Sequence, residues 1–341
     1  MLLTVRQPGR KNLRVFFYRA YGLTIGSDLE IPELASAASA DRALPDVRVS
    51  LLGSRRIQPP SEWFHRCSTP DGEPFLACAR IEGGYLLRYE GVADFIVGRS
   101  GREIVCARRE PRVALSTLCH LLLDHVFPMA LNFSGKEVLH ATAIMTGRGA
   151  CAFIGPTGSG KSTLAGIFLR AGHPLLADDC LVLEERARIL ATPAYPGLRL
   201  WTDAMKALSS ESDRALRVAG HSSKARLLGP RASAGFPREP QPLAAVYRVI
   251  RDGGDGAAGR APRVVAMGAR EALIQLISSA FLLDTADRPA LTRRFAFLGR
   301  LLTQVPVRQL FVPNDFSALP AARDAVLADL EDPVAGIGKS S

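Results

Sequence analysis

Hydrophobic positions fall into two regimes along the 341 residues. Up to about residue 110 they form short runs: VFFYRAYGLTIGSDL, DVRVSLLG, GGYLLRYEG and DFIVGRS, set between Gly, Pro and Asp. Alternating or continuous apolar runs bounded by turn residues predict strands. The Pro-, Ser- and Ala-rich stretch IPELASAASADRALPD reads as a loop. In PRVALSTLCHLLLDHVFPMAL the spacing changes, and Val113, Leu115, Leu118, Leu122 and Val126 recur at helical intervals. A linking helix follows from this, with His120 and His125 in its core or at its rim.

Farther along, strands and helices alternate. VLHATAIM and ACAFIG flank TGRG, a hairpin signal that sets Met145 opposite Ala150. STLAGIFLRA has helical spacing and ends at Gly172. HPLLADDCLVLEE reads as a buried strand followed by acids. A strand, helix and strand of this length predict a βαβ unit in a parallel sheet. The stretch 204–242 reads as irregular; seven Lys and Arg against three acids suit a mobile lid or substrate loop. LAAVYRVI, RVVAMG and VRQLFVP read as strands and RDGGDGAAGRAP as a flexible tip. AREALIQLISSAFLLD, DRPALTRRFAFLGRLLTQ and ALPAARDAVLADLE read as helices. The fold class expected is α/β. A mostly β (α+β) N-terminal domain with its linking helix occupies 1–128, a second α/β domain 129–330, and a flexible tail 331–341.

Composition narrows the setting. Apolar residues make up 47% and charged residues 22%, an ordinary globular balance. No uncharged apolar run reaches 18 residues, and the start of the chain lacks the apolar centre of a signal peptide. A cytoplasmic protein without a membrane span is expected. The six cysteines, 67, 78, 106, 119, 151 and 180, show no CxxC spacing and read as reduced, buried thiols. A net charge of +10 suits polyanionic nucleotides or an acidic peptide. The arginines are dispersed and no basic run interleaves with aromatics, which argues against a nucleic-acid partner.

The chemistry concentrates in three places. Gly155, Pro156, Thr157, Gly158, Ser159, Gly160, Lys161, Ser162 and Thr163 fit G-x-x-x-x-G-K-[ST] between a strand and a helix. Glycines let successive N–H groups turn toward a phosphate at the helix N-terminus. Lys161 then reaches the β- and γ-phosphates, Ser162 ligates Mg²⁺, and Thr163 reaches the α-phosphate region. Asp178 and Asp179 end the next strand, where ligands of open α/β sheets bind. One carboxylate can hold Mg²⁺ while the other takes a proton from an attacking hydroxyl. The hairpin register carried back sets His140 opposite Gly155. It can donate to the γ-phosphate, tune the base, or serve the core alone.

LHATAIM, GPTGSGKSTLA and GHPLLADD together resemble the HPr kinase/phosphorylase family over about 138–184. YRAYGLTIGSDLEIPEL, PAYPGLRLWTDA and HSSKARL extend the likeness toward stand-alone HPr-kinase-like proteins that accompany ribosomally made peptides, lasso peptides included. The resemblance implies a P-loop kinase core over 129–330 and an ATP- and Mg²⁺-dependent serine kinase. Its acceptor would be a peptide or small protein, such as a lasso-type precursor. A homo-oligomer is compatible with this reading. The resemblance makes Asp178 the base, lets Asp179 help Ser162 hold the metal, puts Lys161 on the β/γ-phosphates and His140 by the γ-phosphate. Arg199, Lys224 and Arg226 are candidates for a phosphate or substrate clamp. PGLRLWTDA departs from the family pattern: it offers Arg199 and Asp203 but no Glu. A small-molecule kinase and a non-catalytic nucleotide-binding protein are the alternative readings.

Overall fold

The computed structural model describes residues 14–39, 44–52, 57–58, 60–69, 71–208, 214–217, 224–228, 230–252, 261–282 and 284–331. The expectations for the first 13 residues, for most of the glycine-rich tip (253–260) and for the tail (332–341) lie outside them. The chain divides into two compact units, the first over 1–136 and the second starting at Glu137.

The first unit is built on strands β1 (Phe16–Ala20), β2 (Leu23–Ser27), β3 (Val47–Leu52), β4 (His65–Ser68), β5 (Pro74–Ile81), β6 (Gly84–Tyr89), β7 (Ala93–Gly98) and β8 (Glu103–Arg108). They form one sheet in the order β1-β2-β3-β8-β7-β6-β5-β4, with β3 parallel to both its neighbours. Part of the expected loop is instead a short 3-10 helix, Pro32–Ala37, opened by a proline whose fixed φ suits a first turn. The linking helix starts at Leu115 rather than Val113. It comprises α1 (Leu115–Leu121), a π-helical turn (Leu122–Val126) and α2 (Phe127–Phe133). Pro128 has no N–H for the carbonyl four residues back, and the hydrogen-bond ladder widens just ahead of it. His125 packs edge-on against Phe75 and Tyr89, with ring centroids 5.9 and 5.8 Å away. His120 Nδ1 lies 2.7 Å from Asp124. Both histidines therefore sit in or beside the core, as the helix pattern implied. Across β6 and β7, buried Arg88 and Asp94 face each other through two hydrogen bonds of 2.8 and 2.9 Å.

The second unit holds β9 (Glu137–Leu139), β10 (Thr142–Thr146), β11 (Gly149–Ile154), α3 (Lys161–Arg170), β12 (Leu175–Ala177), β13 (Leu181–Glu185) and β14 (Ile189–Thr192). β15 (Leu198–Trp201), α4 (Thr202–Leu208), β16 (Arg214–Arg217), β17 (Lys224–Leu228), α5 (Pro230–Ser233) and β18 (Gln241–Asp252) follow. The chain continues through β19 (Arg263–Ala266), α6 (Ala269–Ser278), α7 (Arg288–Gln304), β20 (Val307–Pro313) and α8 (Leu319–Glu331). The main sheet runs β12-β10-β11-β18-β14-β13-β9, with β20 also against β18 and β19 against β20.

The β10–β11 hairpin keeps the expected register, Met145 opposite Ala150. The parallel βαβ expectation is corrected. β11 and β12 point the same way, but antiparallel β10 lies between them, so the sheet is mixed. β11, β18 and β20 supply its parallel part. Two expected continuous strands are each broken in two. VLHATAIM divides into β9 and β10, and PLLADDCLVLEE into β12 and β13. Ala143 faces Ala177 on one side of the breaks and Leu139 faces Leu181 on the other, so one register spans both. The breaks fall side by side, at His140–Ala141 and Asp178–Cys180.

The stretch 204–242 is also corrected. Within its described residues, β16 and β17 join β15 in a three-stranded antiparallel sheet, and α4, α5 and the start of β18 fill more of it. Behind the β11–α3 turn, buried Phe153 lies 5.6 Å from Phe168 and 6.3 Å from Tyr247. Each such ring contributes about 1.5–3 kcal/mol through burial. α3 ends in two hydrogen bonds, His173 N–H to the Phe168 carbonyl and Gly172 N–H to that of Leu169, which satisfy its last carbonyls. Tyr247 donates to Asp329 at 2.6 Å and Arg308 Nε lies 2.8 Å from the same carboxylate, pinning α8 to the sheet. No helix among the described residues is long and apolar enough to cross a membrane.

Candidate functional site

The site is assembled from β11, the loop after it and the two strand breaks. Gly155, Gly158 and Gly160 have φ of 140°, 87° and 98°. At Gly155 a Cβ would also lie 3.0 Å from the Val249 carbonyl. Only glycine permits both the dihedral and the approach. The loop delivers the chain to the N-terminus of α3, whose first N–H groups lack helical partners and favour an anion. Lys161 folds back over the loop and donates to the carbonyls of Gly155 at 2.8 Å and Pro156 at 3.2 Å.

The two acids have different surroundings. Asp178 is 6% exposed. Its Oδ1 accepts from Thr142 Oγ1 at 2.7 Å and Ser162 Oγ at 2.9 Å, and its Oδ2 from the Arg199 N–H at 2.6 Å. Burial first, and the charge of Asp179 second, push its pKa up to about 6 against these donors. Asp179 has φ of 59°, a left-handed conformation that Asp tolerates better than most residues. Its Oδ2 lies 3.4 Å from Arg199 Nη1. Arg199 thus serves one acid with its backbone and the other with its guanidinium.

His140 sits at the neighbouring break. Its N–H donates to Ser279 O at 2.6 Å, and its ring stands edge-on to Phe281 at 6.0 Å. Burial lowers its pKa, and Lys161 and Arg199 push the same way against Asp179, so the ring is neutral at pH 7. Strand pairing stops at Thr142 and Phe153, so no ladder partner holds His140 opposite Gly155. The break itself turns it toward the loop. His140, Gly158, Lys161, Ser162, Asp179 and Arg199 line one cavity, with Trp201, 45% exposed, on its wall.

Of the clamp candidates, Arg199 lines this cavity. Arg226 is 2% exposed, with its guanidinium 5.4 Å from the Tyr195 ring centre. Lys224 lies in backbone register opposite Trp201. Asp203 is exposed in the first turn of α4 and does not line the cavity. Thr142 and Arg251 were not anticipated. Arg251 lies near the C-terminal end of β18, alongside Gly160, and donates to Asn314. The rule that ligands gather at carboxyl ends of parallel strands would have pointed to it once β18 was placed beside β11.

The donors suit a hard cation. Ser162 and Asp178 offer paired oxygens, and no group of three His, Cys, Asp or Glu among the described residues forms a self-sufficient metal site. Mg²⁺ is commonly held by one or two protein oxygens together with substrate phosphates and water. None of the six cysteines forms a disulfide, and burial pushes Cys78, Cys106 and Cys119 up to about 12, which leaves those three inert thiols.

No family model matches the chain, and no curated protein matches it. Among solved structures, the chain is similar to the Hpr(Ser) kinase/phosphatase from Coxiella burnetii. The two are 11% identical, the match covers 57% of this chain and 97% of that one, and the TM-score is 0.29. A likeness of that degree carries no functional argument, and the mixed α/β architecture rests on the strands and helices themselves.

Proposed function

We propose that the second unit is a P-loop phosphotransferase that moves the γ-phosphoryl group of ATP to a hydroxyl, that of a serine in a peptide or small protein. The observation that carries this reading is the hydrogen bond between Ser162 and buried Asp178 at the head of α3, with Asp179 and His140 beside it. A hydroxyl–carboxylate pair at that point suits Mg²⁺, and a second acid facing the cavity suits a hydroxyl acceptor. Serine as acceptor, and a precursor peptide as its bearer, draw support from the sequence resemblance alone.

The geometry favours exchanging the roles that the resemblance gives the two acids. Asp178 is enclosed and has both oxygens engaged, so with Ser162 it is the better metal holder. Asp179 lines the cavity, so it is the better base. In the proposed step Asp179 takes the acceptor's O–H proton as that oxygen bonds to the γ-phosphorus. The bond from phosphorus to the β–γ bridging oxygen breaks, and the diphosphate leaves. Lys161 exchanges its loop carbonyls for phosphate oxygens, and neutral His140 can donate one hydrogen bond to the γ-phosphate. Bound Mg²⁺ would neutralise charge on the β- and γ-phosphates.

The test is γ-labelled ATP with serine-containing peptides, precursor peptides among them, and a panel of small hydroxyl metabolites, read by mass spectrometry. Phosphoserine is the expected product, lost in Asp179→Asn with ATP affinity retained. Transfer only to metabolites would move the acceptor to small molecules. ATP binding with no transfer to either set would leave a non-catalytic nucleotide binder.

A further inference from the structure

We infer that a second cleft, which adjoins the phosphate cavity at Gly160, receives the base and ribose of the nucleotide. The inference rests on the phosphate-site reading above. The cleft lies open to solvent between α3, β18 and the segment after β20. Its walls are apolar: Leu164 from α3, Val249 from β18, Val312 from β20, then Phe316 and Leu319. Asn314 and Asp315 supply polar groups. The two cavities share Gly160, Thr163 and Arg251.

This sharing fixes the direction of the ligand. A molecule spanning both cavities has an anionic end among Lys161, Ser162 and the helix N–H groups. Its other end is apolar with a polar edge. A triphosphate nucleoside fits, with Thr163 and Arg251 at the passage where its α-phosphate would lie. Ser159 adds an independent sign. It lines the cleft, is buried, and its hydroxyl has no hydrogen-bond partner among the described residues. A buried hydroxyl left unpaired costs free energy that a bound ligand or water can recover. Arg251 donates to Asn314 across the passage, so nucleotide entry exchanges that bond for one to phosphate. Phe316 is 49% exposed, placed to cover one face of a base against Val249 and Val312.

The experiment compares Mg-ATP with Mg-tripolyphosphate, which carries the phosphates without a nucleoside. Binding is measured by calorimetry in the full chain, in Phe316→Ala and in Asn314→Ala. Wild type is expected to bind ATP more tightly than tripolyphosphate. Phe316→Ala should lose about tenfold in ATP affinity, about 1.4 kcal/mol, with tripolyphosphate affinity unchanged. Asn314→Ala should lose less, in the same pattern. Unchanged tripolyphosphate binding also shows that the variants remain folded. Equal wild-type affinity for the two ligands, or parallel losses for both in Phe316→Ala, overturns the nucleoside cleft and leaves the phosphate site standing. Wild type binding neither ligand overturns both.

Discussion

Each unit buries charge, and one site in each does so in opposite ways. In the first, Asp94 directly faces Arg88 across β6 and β7, and both carboxylate oxygens meet the guanidinium. The Asp94 hydrogen bonds raise the Arg88 pKa, so the guanidinium keeps its charge. In the second, a buried carboxylate adjoins another carboxylate, its donors are mainly neutral, and its pKa is raised to about 6. A charge matched on the spot serves the fold. A charge left under-compensated is poised for a cation or proton from outside, which is why such groups mark functional sites.

This contrast can be broken or sharpened by measurement. Lys161→Ala should give the largest effect, a loss of more than about 10³-fold in phosphoryl transfer, with the melting temperature little changed. A rate near wild type would remove the phosphate reading. Arg88→Met should destabilise the protein by about 3–5 kcal/mol in chemical denaturation, because Asp94 is left buried and unpaired. Adding Asp94→Leu should recover most of that loss. ATP affinity should follow neither change.

The pH dependence is a smaller effect with a definite sign. A carboxyl whose folded pKa is raised from 3.8 to about 6 binds more protons folded than unfolded between those values. Its contribution to stability is therefore present below about pH 4 and lost as pH rises toward 6, on the order of 3 kcal/mol in all. Without ligand, the stability of wild type relative to Asp178→Asn should fall across that window and level off above it. A flat difference would show that Asp178 titrates normally. Last, Asp203→Asn should change transfer by less than about twofold, since surface changes away from the site act weakly.

Much of the site was legible because its signals are local. The glycine loop is confined to nine residues, and the hairpin register follows from a four-residue turn. The two strand breaks were not legible. VLHATAIM and PLLADDCLVLEE are apolar on both sides of the break, so nothing local separates one strand from two. What divides them is pairing with β13, β14 and β10, set by residues distant in sequence. The left-handed Asp179 is equally silent, since Asp carries no mark of its φ. The basic stretch 204–242 misled through composition. KARLL opens with strand-like alternation, and Arg226 is buried on Tyr195 rather than held in a lid. Arg251 was missed because it was read as the start of a flexible tip, when it lies in the last turn-facing residues of a long strand.

Arg199 has one more consequence. Its N–H and its guanidinium reach the two adjacent acids from a single residue of β15. Any displacement of β15 withdraws a donor from Asp178 and a cation from Asp179 in one movement. The place of the small three-stranded sheet and the donors offered to the acid pair are therefore set by one stretch of backbone.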